Sequence, residues 1–395
     1  MLDLNNHPLL LVMAIAVAAT LLAEIPIGFR LPVGVLEMVL GIVIGPYVLG
    51  LAKAEGLLLW MGGRLGLAAL FFAAGIELDL ERVRGRPIAL AVRGWVLSLV
   101  LGLSAAAILY VLPLVHAPMM VTLALTTTTM GTILPILRDT GEIETNFGRL
   151  VLAAGAVGEF GPIVVMSLLL TGDHSEWLEV ALMLAFVGMA FLAAVSALRL
   201  RPPKVLALLT RTMHSTSQLP VSLSMLLLAF FVVLSEKFGF EHVLGAFAAG
   251  MVVGLTTRGE EGKPFREKID GVIFGFCVPF FFVTSGIKFD LGGLLQNAKT
   301  MLLVPVFLTL FLIVRGAPVF LYRRDLAKGE RLPFALYSAA TLPMVVAITE
   351  IGVQSGRMRS DIAAALVGAA LLSVLLFPAI AGGLRSKSTA EKLLR

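Results

Sequence analysis

Charge is scarce in this chain. Only 14% of its 395 residues are Asp, Glu, Lys or Arg, against roughly 25% in a soluble domain, while 58% are hydrophobic and the mean hydropathy is +0.96. Too few polar side chains remain to cover a water-exposed surface, so a soluble globular protein is excluded. Cysteine is almost absent: one residue, Cys277, rules out an intrachain disulfide and any multi-cysteine metal or iron–sulfur site, and it reads as core packing. Five histidines, including His116, His174 and His242, fall in or near loops without ligand spacing, so neither a metal nor another cofactor is expected. The net charge of +5 does not point to nucleic acid, because the basic residues lie between apolar runs rather than on one amphipathic face. Polar or low-complexity stretches long enough to form a linker or a soluble domain are also missing.

Apolar runs fill the space instead. A run of about 17–25 residues, rising 1.5 Å per residue, crosses a hydrocarbon core of about 30 Å. Runs of that kind occur at 8–27, 32–51, 57–76, 88–112, 118–138, 147–171, 177–199, 217–237, 240–257, 267–287, 299–322, 331–354 and 360–384, predicting an all-α polytopic protein of about thirteen transmembrane helices. The first run has no basic leader and is followed by Glu24 and Pro26, so it reads as a spanning helix rather than a cleaved signal. Most of the 31 Lys and Arg residues fall in alternate loops, with clusters at Arg82 to Arg86, Arg199 to Arg211, Arg258 to Lys268, Arg323 to Arg331 and Arg385 to Arg395. The positive-inside rule then places the N-terminus outside and the C-terminus in the cytoplasm of a cell inner (plasma) membrane.

An internal repeat overlies this pattern. Phe71 to Leu80 reads FFAAGIELDL and Phe282 to Leu291 reads FVTSGIKFDL, aligning Gly75 with Gly286, Ile76 with Ile287 and Asp79 with Asp290. GIVIG at Gly41 to Gly45 aligns with GMVVG at Gly250 to Gly254. Both pairs are an odd number of spans apart, so the second copy crosses the membrane in the opposite sense, the inverted-topology repeat of secondary transporters. On this reading residues 1–395 form one membrane domain, with the first span peripheral, spans 2–7 as one repeat, spans 8–13 as the other, and no soluble domain.

The repeat pairs the fifth span with the twelfth, and these are the most interrupted in the chain. The fifth carries Thr126, Thr127, Thr128 and Thr129 followed by Gly131 and Pro135; the twelfth carries Ser338, Thr341, Pro343 and Thr349. Proline removes a backbone donor, and threonines can bond their own backbone, as in an ordinary kink, or face an ion. Breaks at matching positions of two halves mark a transport site, so two crossed discontinuous helices are expected, with Gly131, Pro135 and Pro343 at the breaks.

One carboxylate lies mid-membrane. Glu159, within LAAGAVGEFGP (Leu152 to Pro162), interrupts an apolar run, and an intramembrane charge costs roughly 2.5–3.5 kcal/mol on insertion scales. It is either a functional acid or a neutralised group bonded to a neighbouring helix. Arg315, within FLIVRGAPVF, needs a partner among Glu159, Glu77 and Asp139, or else reaches the interface as a snorkelling side chain. Glu350 pairs with Arg357, Arg359 or Arg64, while Glu37 and Arg93 read as interfacial.

GPYVLGL, FFAAGIELDL, TTTTMGTILPILRDTG, GAVGEFGP and VRGAPVF, in this order, resemble the monovalent cation/proton antiporter family of the sodium/proton exchanger and Kef type, from about residue 8 to 384. The resemblance implies a thirteen-helix, inverted-repeat membrane domain, often dimeric, without enzymatic activity, whose partners are the lipid bilayer, a proton and Na⁺ or K⁺. It implies that Glu159 holds the ion, with Arg315 near the position of a family Lys; the helix breaks themselves offer Thr127, Thr128, Thr129 and Thr341 as further oxygens, and the buried charges offer Arg315 and Glu77 as charge partners. Family members that move net charge commonly have two adjacent Asp where this chain has Gly158 and Glu159, so electroneutral one-for-one exchange is implied. A passive channel or a Kef-like K⁺ efflux system is the alternative.

Overall fold

The structure, a computed structural model, describes residues 7–25, 31–53, 56–77, 85–170, 218–257, 262–296 and 298–393, with the isolated positions 188, 189 and 192. Every element in these segments is helical: α1 (Pro8–Ala23), α2 (Val33–Ile44), α3 (Leu57–Glu77), α4 (Arg86–Val111), α5 (Pro118–Leu125), α6 (Met130–Asp139), α7 (Asn146–Leu170), α8 (Leu219–Lys237), α9 (His242–Thr256), α10 (Lys263–Val272), α11 (Val278–Ile287), α12 (Leu291–Gln296), α13 (Ala298–Gly316), α14 (Arg331–Ala339), α15 (Pro343–Gln354) and α16 (Ser360–Leu393). A π-helical turn, Ile273–Cys277, joins α10 to α11, and a 3₁₀ turn, Ala317–Tyr322, extends α13.

Eight described helices are long and apolar enough to cross a membrane, and three shorter apolar ones accompany them. With the broken α5–α6 they account for every expected span except 177–199, which lies outside the described residues. The helices pack in two groups: α1, α2, α3, α8, α9 and α10–α11 in one, and α4 to α7 with α13 to α16 in the other. Helices α9 and α7 meet across the boundary, where Phe247 and Phe160 stack with ring centroids 4.9 Å apart. In the broken stretch 328–354, 89% of the most apolar window is buried, against 28% in α4 and α8, so the interrupted helix lies inside its group while α4 and α8 are the most exposed of the long helices among the described residues.

The repeat is visible as packing. Gly41 of α2 lies on Gly286 of α11, and Gly75 of α3 lies on Gly250 of α9. The aligned motifs map one contact onto the other, so each is the image of its partner under a pseudo-two-fold axis. A Cβ on Gly286 would stand 2.9 Å from Gly41 Cα, and one on Gly250 would stand 3.0 Å from Gly75 Cα. Only glycine lets the backbones approach this closely. Gly45 against Ile287 and Gly254 against Ile76 repeat the relation one turn on.

Two expectations need correction. Glu37 is not interfacial: it is 2% exposed on α2, because the short α2 is enclosed by α1 and α11. Glu350 pairs with Lys288 at the end of α11 across 2.8 Å, while Arg64 pairs with Glu236 and Arg359 with Asp361.

Candidate functional site

Backbone geometry makes the site. Helix α5 stops at Leu125 and α6 begins at Met130, leaving Thr127 to Thr129 unwound; α14 stops at Ala339 and α15 begins at Pro343, leaving Ala340 to Leu342 unwound, with Thr129 and Ala340 extended. The two interruptions cross and bond to each other. Thr129 N–H donates to Ala340 O (3.0 Å), Leu342 N–H donates to Thr129 Oγ1 (3.0 Å), and the hydroxyls of Thr127 and Thr341 lie 2.6 Å apart. Thr127 Oγ1 also donates to Ala124 O at 2.7 Å, which leaves Thr341 as donor to Thr127. Thr341 is held in turn by Ser373 of α16, whose Oγ accepts from Thr341 N–H at 3.1 Å. Thr126, Thr127, Thr128, Thr129 and Thr341 are all buried.

The position of the breaks differs in part from expectation. Pro343 opens α15 as its first residue, where its missing N–H has no helical partner to lose. Pro135 lies inside α6 rather than at the interruption, and Gly131 is the second residue of α6. Unwinding instead coincides with the threonine run, whose side chains bond local carbonyls in place of the helix ladder.

A residue passed over in the sequence explains how α7 joins the crossing. Pro162 has no N–H, so the carbonyl of Gly158, four residues earlier, lacks its helical donor. Thr128 N–H, freed by the break, donates to it at 3.1 Å. One orphaned acceptor and one orphaned donor satisfy each other, and α7 is fixed with Glu159 beside the crossing.

Glu159 is half-buried, and its Oε2 accepts from the N–H of Met130 at 3.4 Å. Met130 is the first residue of α6, so the carboxylate faces a helix N-terminus, the positive end of the backbone dipole. Its small neighbours receive side chains rather than backbone: Gly155 faces Met130, Gly158 faces Arg315 and Thr128, and Gly161 faces the Trp95 ring. Glu77, exposed at the end of α3, is close enough to Glu159 for the two charges to interact, and Arg138 and Asp270 stand within electrostatic range of Glu77. Asp270 is a second residue the sequence reading did not single out.

Arg315 is 3% exposed and bonds neutral oxygens, not Glu159, Glu77 or the interface. Its Nε donates to Thr128 Oγ1 (2.9 Å), Nη1 to Ser98 Oγ (3.3 Å) and Nη2 to Ala154 O (3.0 Å). Thr128 Oγ1 passes the chain on by donating to Ser338 O at 2.5 Å, and Ser98 Oγ donates to Val314 O at 2.8 Å. A guanidinium presents five donors in a rigid fork, which suits it to bracing α4, α7, α13 and the crossing together. Trp95 adds a bond from Nε1 to Thr126 O at 3.2 Å. Ser98, Trp95 and Ser373 lie on apolar helices and gave no signal in sequence. Among the described residues no group of three or more His, Cys, Asp or Glu is placed to hold a metal.

Comparison with known proteins gives the family and the fold. Residues 11–383 match the family described as sodium/hydrogen exchanger, transmembrane. The protein YjbQ of Bacillus subtilis (strain 168) is 25% identical over 371 residues, which are 88% of this chain; the match spans 58% of the length of YjbQ. The Na(+)/H(+)-K(+) antiporter GerN of Bacillus cereus is 26% identical over 355 residues and matches 87% of each chain. In structure, the sodium proton antiporter MjNhaP1 from Methanocaldococcus jannaschii is similar with a TM-score of 0.64 at 20% identity, over 94% of this chain and 96% of that one, a likeness of fold.

Proposed function

This chain belongs to the sodium/hydrogen exchanger family, and from that premise we propose that it exchanges a monovalent cation, Na⁺ or K⁺, for a proton at Glu159, one for one. The observation that carries this is the placement of a single half-buried carboxylate at the N-terminus of α6, beside the crossing of two unwound segments. A carboxylate there binds a proton or a cation but not both, so competition couples the two flows. Either occupant cancels its charge. The neutral site then changes sides at far lower electrostatic cost than the bare anion.

The remaining parts have supporting roles. Thr127, Thr128, Thr129 and Thr341 provide neutral hydroxyl oxygens within the crossing, which a partly dehydrated hard cation requires. Arg315 keeps the frame in register, and the carboxylates of Glu77 and Asp270 draw cations from the more basic face, which we assign to the cytoplasm. The two outer ends of the cycle are reached by movement of the second helix group against the first, whose shared boundary is narrow. We place the amino terminus outside and expect a homodimer.

The test is reconstitution. In proteoliposomes an imposed Na⁺ or K⁺ gradient should move the internal pH for the wild-type chain and leave it unchanged for Glu159→Ala; exchange by that variant at near wild-type rate would end the proposal. One-for-one exchange is checked separately. A net charge moved per cycle would couple to voltage by about 2.3 kcal/mol per 100 mV, so the initial rate should not respond to an imposed potential.

A further inference from the structure

A cavity of about 470 Å³ opens on the face where α3 and α9 begin and α8, α11 and α15 end, the face assigned above to the outside. Trp60, Arg64, Glu236, His242, Lys288 and Glu350 line it. Two ion pairs cross its rim, and they differ in what they join. Arg64 and Glu236, 2.6 Å apart, link α3 to α8 within one helix group. Lys288 and Glu350, 2.8 Å apart, link the end of α11 to α15 and so tie one group to the other. Ser360, the first residue of α16, donates from Oγ to Asp290 Oδ2 at 2.8 Å, just after Lys288, where the chain leaves α11 for α12, which packs on α13 and α16.

The opposite face is built differently. Arg86 with Asp325, and Arg385 with Glu142 and Glu330, join residues of the second group to one another. Arg266 donates to Thr257 O within the first group. Glu77, Arg138 and Asp270 are exposed there, and Glu159 above them is half-exposed. Among the described residues, the outer face thus carries a close ion pair across the boundary, while at the inner face Glu77 and Asp270 of the first group face Arg138 of the second at longer range.

Glu350 is also well placed to report on the site. It stands on α15, the half-helix that starts at the crossing with Pro343, so a shift of the crossing against the first group moves Glu350 against Lys288. Their side chains are 24% and 35% exposed, which leaves water able to replace each partner when they part. We propose that the Lys288–Glu350 pair is an outer latch: it holds the outer face closed while Glu159 is reached from the inner face, and it opens when the site turns outward. This rests on the exchange reading given above.

A partly exposed pair of this strength biases an equilibrium by roughly two- to five-fold. Losing it should favour the outward-open state. For Lys288→Gln and Lys288→Glu, the outer half-saturation constant for Na⁺ or K⁺ should fall by about that factor and the inner constant should rise, each measured from one side of oriented proteoliposomes. The double variant Lys288→Glu with Glu350→Lys should return both constants toward wild type. A general loss of packing lowers the rate but does not drive the two constants in opposite directions. Constants that stay put, or that move together, overturn the latch while exchange by the same vesicles keeps the antiport reading intact; wild-type vesicles that show no exchange end both. Should Lys288→Glu not fold, Lys288→Gln gives the same reading.

Discussion

The glycine seam and the threonine crossing are each made by elements that the repeat relates, yet they are held in opposite ways. In the seam, Gly41 on Gly286 and Gly75 on Gly250 press backbone on backbone, with no polar side chain at the contact and no room for a Cβ. At the crossing, Thr127 meets Thr341 and Thr129 meets Ala340 and Leu342 through hydrogen bonds alone. Dispersion contacts of the first kind have one good arrangement. Hydrogen bonds of the second kind can be traded for water or an ion at small net cost. The repeat thus gives one group of helices its rigidity and the other its capacity to rebind.

The largest way to break that contrast is a side chain in the seam. Gly286→Val and Gly250→Val each drive atoms into the facing backbone, so each should cost at least about 1–3 kcal/mol of stability and lower the detergent melting temperature. Exchange per folded molecule should persist. If Gly286→Val melts like wild type, the close approach of α2 and α11 is not what the structure shows.

Next comes Arg315. Arg315→Met removes the hydrogen bonds to the oxygens of Thr128, Ser98 and Ala154, and each bond from a charged donor is worth roughly 1.5–3 kcal/mol. Transport should fall by ten-fold or more, with a smaller fall for Arg315→Lys, which keeps the charge but has one nitrogen where three are bonded. A lysine variant as impaired as the methionine one would show that fork geometry, not charge, is the whole of its role.

These two cases show where sequence was informative. The repeat was legible, because GIVIG with GMVVG and Gly75 with Gly286 carry it as spelled-out identity, but that its glycines pack Gly41 on Gly286 and Gly75 on Gly250 was not. The threonine run and Pro343 announced both interruptions. The partners of Arg315 were not legible: three neutral oxygens from three separate elements leave no pattern in spacing, whereas a carboxylate partner invites a guess from charge alone. Pro162 was in plain view, but its effect falls on Gly158 O and Thr128 N–H, two groups that only the fold brings together. Glu37 was read as interfacial from its place near the start of the second span, and its burial depends on α1 and α11 packing on α2.

A finer probe of the crossing is its central bond. Thr127→Val and Thr341→Val each remove the 2.6 Å hydroxyl contact, worth about 1 kcal/mol net. Because both substitutions remove the same bond, the double variant should lose less than the sum of the singles, in melting temperature and in transport rate alike. Strict additivity would mean that the two hydroxyls act independently.

The smallest effect, and the one that separates the two regions by pH, concerns Asp290 at the end of the repeat. It lies outside the membrane spans, between α11 and α12. Partial desolvation pushes its carboxyl up, but hydrogen bonds from Gly293 N–H (2.8 Å), Ser360 Oγ (2.8 Å) and Tyr47 outweigh this and hold it below the ordinary value of 3.8. A lowered folded-state value means the carboxylate stabilises the protein above the unfolded-state value, and that this stabilisation disappears as pH falls through the lowered one. Asp290→Asn should therefore lower the melting temperature modestly at pH 7, by the few tenths to about 1 kcal/mol expected of a lost capping contact. The gap to wild type should close as pH drops below about 4. The seam carries no titrating group, so Gly286→Val should keep its full deficit across the same range. A gap for Asp290→Asn that is as wide at pH 3 as at pH 7 would assign its effect to shape rather than charge.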